Sequence, residues 1–211
     1  MEGGMGNTQA AGSKTRSNLL TNLKDIEDDL QAIFMDKDLD PEVKTKSGIS
    51  YNTFATVMYI PRKSIYYNAC KGCKKKIILD GDDEWRCEKC GTKSTEPEAR
   101  FMGKAKIMDH TSSIYAKIMN EKIGMTIYGK SAFEIREMVE GENADSDILN
   151  NTLNSRAFEE FYLTLRCKEN TYMGETKIDY EIIRCENPAS NYQKPIASLI
   201  EAIQAYDKSI I

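Results

Sequence analysis

The sequence predicts a mainly β, α+β fold: a five-stranded barrel with an inserted four-cysteine ribbon and a C-terminal amphipathic helix. Three observations support this prediction. Residues 54–60 have the β-branched and aromatic composition of a strand, and four later segments alternate apolar and polar residues, as half-buried strands do. Two C-x-x-C pairs stand between the first and second of these segments, and residues 194–211 carry apolar side chains at three- and four-residue spacing.

The composition is typical of an intracellular protein. The 211 residues are enough to bury one core. No apolar run approaches the roughly 18 residues that a membrane span needs, and no N-terminal stretch resembles a secretory signal. In a reducing compartment, cysteines serve as metal ligands or free thiols more often than as disulfides. We therefore expect no membrane contact and no disulfide framework.

Charge is distributed unevenly along the chain. The net charge of -4 argues against indiscriminate binding to nucleic acid, because proteins that bind it usually carry a basic surface. Residues 62–106, however, contain 12 Lys and Arg against 7 Asp and Glu, which gives this segment a charge of +5. The flanking segments carry -3 and -6. This uneven distribution of charge partly restores the case for nucleic-acid binding.

The N-terminal part predicts a tail, a helix and one strand. Residues 1–17 are polar and rich in Gly, so they predict a disordered tail. Apolar residues at helical spacing, with acidic residues on the opposite face, predict a helix over 18–34. The acidic segment 36–50 predicts a loop. The β-branched and aromatic composition of 54–60 predicts the first barrel strand.

The rest of the chain predicts four further strands and a helical insert. The strands are expected over residues 101–108, 114–119, 161–168 and 177–183, the last two as a hairpin. Helical spacing between residues 132 and 157 places the insert before the hairpin. This order suits a five-stranded Greek-key barrel of the OB type. The barrel domain is expected over 18–193, with the ribbon inserted at about 66–95.

The cysteine pairs give the strongest signal in the sequence. Cys70 and Cys73 form one C-x-x-C pair, Cys87 and Cys90 form a second, and 13 residues separate the two pairs. Four thiolates at this spacing are the ligand set of a tetrahedral zinc site. A closed Cys₄ shell leaves no position for water or substrate, so the pattern predicts one structural Zn²⁺ ion.

Nothing in the sequence predicts an enzyme. There is no nucleophile elbow, no P-loop and no H-x-E zinc-deaminase pattern. The single histidine, His110, follows a predicted strand and is interpreted as a loop or capping residue, with a position beside a bound base as the alternative. Cys167 and Cys185 stand alone on predicted strands, which is typical of buried free thiols.

Three segments resemble the C-terminal domain of replication protein A large subunits. They are Ala55–Tyr59, reading ATVMY; Tyr66–Cys70, reading YYNAC; and Trp85–Cys90, reading WRCEKC. The resemblance covers residues 20–192. It implies an OB fold with the ribbon between its first two strands, binding of single-stranded DNA, and nuclear work in DNA replication, repair and recombination. It also implies a heterotrimer, joined to the middle and small OB-fold subunits through the C-terminal helix.

Two alternatives stay open beside that implication. Telomerase-associated paralogues share the domain plan, so a telomerase holoenzyme component that binds telomeric single-stranded DNA, with other telomerase components as partners, also fits. A protein that mainly holds partner subunits is the second alternative. The sequence also departs from the family pattern, because Tyr115 and Met119 stand where the family has tryptophan and another aromatic residue.

The candidate DNA-binding residues are aromatic and cationic side chains on the predicted strands. OB domains bind a single strand with cations along the backbone and aromatic rings under the bases. The candidates are Tyr115 as the stacking platform, Lys117 beside it, Lys104, Lys106, Arg166 and Lys168 along the groove, and Tyr172, which matches a family aromatic, at the hairpin turn. The alternative is that the cations form only the solvated side of a half-buried sheet.

The C-terminal helix carries the candidate partner-binding residues. Pro195 suits the first position of a helix. The apolar stripe consists of Ile196, Leu199, Ile200, Ile203, Tyr206 and Ile210. Such a stripe either packs on its own barrel or joins helices of other subunits, and the resemblance favours assembly.

Overall fold

The structure is a computed structural model that describes residues 15–36, 38–81, 84–142, 144–190 and residue 200. The strands are β1 (Thr15–Leu20), β2 (Ile49–Tyr59), β3 (Tyr66–Ala69), β4 (Ile78–Leu79), β5 (Trp85–Arg86), β6 (Lys93–Ser94), β7 (Glu98–Phe101), β8 (Gly103–Met108), β9 (Ser113–Ile118), β10 (Glu160–Tyr172) and β11 (Glu175–Glu186). The helices are α1 (Leu23–Met35), α2 (Glu121–Tyr128), α3 (Ala132–Glu140) and α4 (Ser146–Asn154), with a π-helical turn at Val43–Ser47 and a 3₁₀ turn at Pro188–Ser190.

Five strands close into a barrel. The pairing runs β2-β10-β11-β9-β8 and returns from β8 to β2. The pair β9–β11 is parallel, and the other four pairs of the barrel are antiparallel. This is the topology of an OB-fold barrel, with the four-cysteine ribbon between its first two strands, β2 and β8. The predicted fold class is therefore confirmed.

Alternate residues of each barrel strand fill the interior. They are Tyr51, Ala55 and Val57 of β2, Ala105 and Ile107 of β8, Ile114, Ala116 and Ile118 of β9, Leu163, Leu165 and Cys167 of β10, and Tyr180 and Ile182 of β11. Helix α1 adds Leu23, Ile26 and Leu30, all fully buried, to the same core. Burying a large aliphatic side chain contributes about 1.5–3 kcal/mol. The period-2 pattern therefore determines which face of each strand remains outside.

The helical insert α2–α4 lies between β9 and β10 and anchors the base of the ribbon. The rings of Phe101 and Tyr128 pack with centroids 5.2 Å apart. Gly124 lies against the Phe101 ring so closely that a Cβ atom there would overlap it. On α3, Arg136 donates to the carbonyl oxygen of Pro97 at 3.1 Å. These contacts hold β7, and with it the ribbon, against the barrel.

The N-terminal elements differ from the sequence prediction. The helix begins at Leu23 rather than residue 18, and residues 15–20 form β1, parallel to β2. The backbone N–H of Thr21 donates to Asn52 O at 2.7 Å. The prediction of a disordered tail is therefore wrong for residues 15–17, and residues 1–14 lie outside the described part. The start of β2 presents backbone N–H and C=O groups on the edge that β8 occupies further along, and β1 pairs with them. Local periodicity does not reveal such a pairing.

Several strand boundaries and one helix also differ from the sequence prediction. Strand β2 begins at Ile49, inside the expected loop, and the hairpin strands β10 and β11 are longer than expected. The insert also has an additional helix, α2, whose N-cap Asn120 accepts from the Ile123 N–H and which ends at left-handed Gly129. Its eight residues are too few for spacing alone to identify a helix.

The predicted C-terminal helix falls almost wholly outside the described residues. Of its six candidate partner-binding residues, only Ile200 is described, in helical conformation and about half exposed. Its role in assembly thus remains a prediction. Among the described residues, no helix combines the length and apolar character needed to cross a membrane.

The carboxylate of Asp109 joins the start of α1 to the β8–β9 loop. Asn22, at the N-cap position of α1, makes no side-chain capping bond. Instead, the Leu23 N–H donates to Asp109 Oδ2 at 2.7 Å, and the N–H groups of Thr111 and Ser112 donate to Oδ1 at 2.7 and 3.0 Å. Burial alone would raise the pKa of Asp109, but these bonds and that of the Thr111 hydroxyl outweigh it and lower the pKa.

We expect Asp109→Ala to lower the free energy of unfolding by about 1 kcal/mol, as loss of a helix cap does. Because the folded-state pKa is below the unfolded value of about 3.9, this stabilisation is present at neutral pH. It is lost as the pH falls through the folded-state pKa. Urea denaturation of the two proteins at pH 7 and in the acid range measures the difference.

The matched control is Asp28→Ala on the same helix. The Asp28 carboxylate is exposed and pairs with Lys24 at 2.5 Å. Exposed pairs contribute roughly 0–1 kcal/mol, so a smaller loss is expected. Equal losses in both variants, or a difference that does not change with pH, would contradict the capping role of Asp109.

Candidate metal centre and nucleic-acid interface

Two knuckle turns bring the four cysteines together. In the first knuckle the Lys74 N–H donates to Cys70 O at 2.9 Å, and in the second the Gly91 N–H donates to Cys87 O at 2.8 Å. Lys74 and Gly91 occupy the same position in the two turns, four residues after the first cysteine. Both have a positive φ, 60° and 70°. The repeated C-x-x-C spacing thus folds into the same turn twice, on either side of β4 and β5.

The sulfur positions fit one tetrahedral ion. The four Sγ atoms lie within 4.8 Å of one another. The Sγ atoms of Cys70 and Cys90 are 3.6 Å apart, and those of Cys73 and Cys87 are 3.4 Å apart. A zinc–sulfur bond of about 2.3 Å places tetrahedral ligands about 3.8 Å apart. The cluster could therefore hold one four-coordinate metal ion without rearrangement of the turns.

The thiols of the cluster affect one another's ionisation. Hydrogen bonding from Thr92, whose hydroxyl is 3.1 Å from Cys90 Sγ, lowers the pKa of Cys90 to about 6. The backbone of Lys75 lowers the pKa of Cys73, but the surrounding thiols outweigh it and raise that pKa to about 11. Four thiolates at this separation repel one another, so a bound cation is the chemical means of keeping all four ionised.

An aromatic and cationic row crosses three strands on the outer face of the barrel. Lys106 on β8 lies opposite Tyr59 on β2 and opposite Tyr115 on β9. Directly opposed residues share a face. Tyr59 is 50% exposed and Tyr115 is 47% exposed, so both rings offer a surface for stacking. Lys104 Nζ lies 4.8 Å from the centroid of the Tyr115 ring. We call Tyr59, Lys104, Lys106 and Tyr115 the β8 face.

Of the three remaining candidate cations, two form ion pairs with carboxylates of β11. Lys117 pairs with Asp179 at 2.5 Å, and Arg166 pairs with Glu181 at 2.6 Å. Lys168 is half-buried on β10. Across the described residues, Lys104 and Lys106 form no ion pair with a carboxylate. The structure therefore separates the open β8 face from two candidate cations, Lys117 and Arg166, that carboxylates of β11 neutralise.

The other singled-out residues fall as follows. Tyr172 ends β10, and its side chain lies outside the described part. His110 is exposed in the β8–β9 loop. Cys167 is fully buried in the barrel core, and burial raises the pKa of its thiol to about 12. Cys185 is half-buried, with its pKa raised to about 12 chiefly by burial. Both agree with their interpretation as free structural thiols.

Sequence reasoning missed Tyr59 on the β8 face. In strict alternation Tyr59 falls on the same side as the buried residues Ala55 and Val57. A β-bulge changes this, because Val57 pairs with Ile107 whereas Tyr59 pairs with Lys106. The extra residue, Met58, turns Tyr59 outward, as bulges commonly do next to functional sites. No local sequence signal marks the bulge.

Comparison with known proteins gives one consistent result. Residues 50–199 match the family model described as the replication factor-A C-terminal domain. The chain is 30% identical over 155 residues to one of the replication protein A 70 kDa DNA-binding subunits of Arabidopsis thaliana, covering 71% of this chain and 18% of that protein. It is 27% identical over 130 residues to replication factor A protein 1 of Schizosaccharomyces pombe, covering 61% and 20%. The chain thus spans about a fifth of the length of these relatives.

Solved structures agree with the fold. A replication protein A heterotrimer bound to single-stranded DNA contains a chain that superimposes with a TM-score of 0.65 and 30% identity, over 75% of this chain and 36% of that one. Yeast replication protein A bound to single-stranded DNA gives a TM-score of 0.65 with 21% identity, over 86% and 94%. The latter likeness establishes the barrel alone.

Proposed function

Because this chain belongs to the replication factor-A C-terminal domain family, we propose that it binds single-stranded DNA without catalysing a reaction. The observation that carries the proposal is the row Tyr59–Lys106–Tyr115 across the outer face of the barrel. The similar heterotrimer binds single-stranded DNA. A nuclear role in replication, repair and recombination follows from the same relationship.

The β8 face suits single-stranded DNA, because unpaired bases are free to stack on exposed aromatic rings. The exposed rings of Tyr59 and Tyr115, on the strands either side of Lys106, offer platforms for two bases. Stacking accepts every base because each has a π-face, and it contributes roughly 1–3 kcal/mol per base. Lys104 and Lys106 supply positive charge for the phosphates. The net charge of -4 does not oppose binding here, because the two lysines have no carboxylate partner among the described residues.

Zinc is the metal that the four-cysteine cluster fits best. Cys70, Cys73, Cys87 and Cys90 would complete a tetrahedral shell, which is typical of structural rather than catalytic sites. A bound ion supplies cross-linking of the two knuckles. The core of the ribbon is small: Ile77 and Trp85 are the apolar side chains besides the cysteines in its cluster. Its folding would therefore depend on the metal.

Assembly with middle and small OB-fold subunits is the second part of the proposal. It rests on the similar heterotrimer and on the apolar stripe of residues 196–210, since helix stripes of this kind join subunits in bundles. The relatives reported above are replication factors, which supports this reading over the telomerase alternative.

We expect Tyr115→Ala and Lys106→Ala each to weaken binding to oligo-dT, the first by about tenfold from the lost stacking. Fluorescence anisotropy with labelled oligo-dT at several salt concentrations measures both. Lys106→Ala should also reduce the slope of log affinity against log salt by about 0.7, as loss of one phosphate contact does. Phe133→Ala, an exposed aromatic on α3, is the control and should bind normally. Unchanged affinity in both test variants would reject the β8 face, and strong preference for a G-rich telomeric repeat would favour the telomerase alternative.

We expect the purified protein to contain one zinc per chain, and Cys87→Ser to lose it. Trp85 is the only tryptophan of the chain and packs in the ribbon cluster, so its fluorescence reports ribbon folding. Removal of zinc with a chelator should shift this emission to the red, and re-addition should restore it. The control Cys185→Ser should retain the metal. Retention of full zinc content by Cys87→Ser would contradict the site.

We expect a chain truncated after residue 193 to lose co-purification with the middle and small subunits. Oligo-dT binding should stay nearly intact, because the β8 face lies on the barrel. The matched test within the full chain is Leu199→Asp with Ile203→Asp, which places charge in the apolar stripe. Continued co-purification of both proteins would reject assembly through this helix.

A further inference from the structure

Asp179 lies on the outer face of β11 and joins three strands through one oxygen atom. Its Oδ2 accepts from Lys117 Nζ on β9 at 2.5 Å and from Asn170 Nδ2 on β10 at 2.9 Å. The side chains of Lys117 and Asp179 are 48% and 32% exposed. The pair is therefore open to solvent and accessible to a bound polyanion.

Lys117 would otherwise extend the β8 face. It lies directly opposite Lys104 across β8 and β9. On its other side, Glu181 is in register with Lys117 but is engaged by Arg166 at 2.6 Å. Asp179 is thus the carboxylate that holds the Lys117 ammonium, while the neighbouring Lys104 lies over the Tyr115 ring. Lys104 and Lys117 occupy paired positions on neighbouring strands, and the ion pair of Lys117 with Asp179 is what distinguishes them.

We propose that Asp179 withholds Lys117 from the phosphate backbone and thereby limits both the affinity and the number of phosphate contacts of the single-strand site. This inference rests on the proposed DNA binding. Phosphate contacts release counterions, so their number is measured by the salt dependence of binding. An exposed ion pair contributes little to folding, which makes its removal a test of binding rather than of stability.

The test compares four proteins: wild type, Asp179→Asn, Lys117→Ala and the double variant. Oligo-dT affinity is measured over a range of salt concentrations by fluorescence anisotropy. Asp179→Asn should bind about two- to fivefold more tightly at low salt, the range that the strength of an exposed pair implies. Its slope of log affinity against log salt should be steeper by about 0.7, the value for one added phosphate contact on a single strand.

Lys117→Ala and the double variant test whether the added phosphate contact is made by Lys117. Lys117→Ala should have the wild-type slope, because in the wild type Lys117 makes no phosphate contact. The double variant should lose the steeper slope of Asp179→Asn. The control is Asp28→Asn, which removes one negative charge from the exposed Lys24–Asp28 pair on α1, outside the sheet. This variant should leave the slope unchanged.

Each outcome separates this inference from the proposed function. A slope that is the same in wild type and Asp179→Asn would overturn the role of Asp179 while DNA binding stands. A steeper slope that persists in the double variant would do the same, because the new contact would not be Lys117. Absence of oligo-dT binding in all four proteins would instead reject the DNA-binding proposal itself. Thermal denaturation of the Asp179→Asn protein checks that the hairpin remains folded.

Discussion

Closure of the barrel through β2 is the constraint on which the rest of this structure depends. Along one edge β2 pairs with β10, and along the other it pairs first with β1 and then with β8. The inward face of β2 is buried in the packed interior of the barrel, so the register of this strand is strongly determined. The bulge at Met58 shifts the register between β2 and β8, and it turns Tyr59 from the core side to the side where Lys106 and Tyr115 lie.

The position of the ribbon also depends on β2. Chain leaving β2 must return as β8, its neighbour in the barrel, and the four-cysteine segment occupies that connection. The paired strands β3 and β7 form the base of the connection, and α3 packs on them through Arg136. The knuckles beyond have only a small apolar core, so a metal ion bound by the four cysteines would contribute much of their stability. The four-cysteine cluster is thereby connected to the barrel through the paired strands β3 and β7.

Charge on the outer face is arranged by strand. Strand β8 contributes lysines without acids, whereas β11 contributes Asp179 and Glu181, which engage Lys117 and Arg166. A chain with a net charge of -4 can therefore present a local cationic and aromatic surface. A single strand bound on the β8 face, as proposed, would meet the paired cations Lys117 and Arg166 next to it.

The sequence by itself determined the fold class, the five barrel strands and the four-cysteine ligand set, because alternation and C-x-x-C spacing are local properties. It also placed Tyr115, Lys104 and Lys106 on outward faces, since their buried neighbours are apolar. It missed β1, α2 and the outward position of Tyr59. It also gave Lys117 and Arg166 the same standing as Lys106. Apart from α2, which is too short for spacing to identify, those features depend on partners distant in the chain: a strand edge, a bulge opposite Lys106, and carboxylates on β11. Only the tertiary structure brings these groups within hydrogen-bonding distance, and that distance decides which lysines remain available to a ligand.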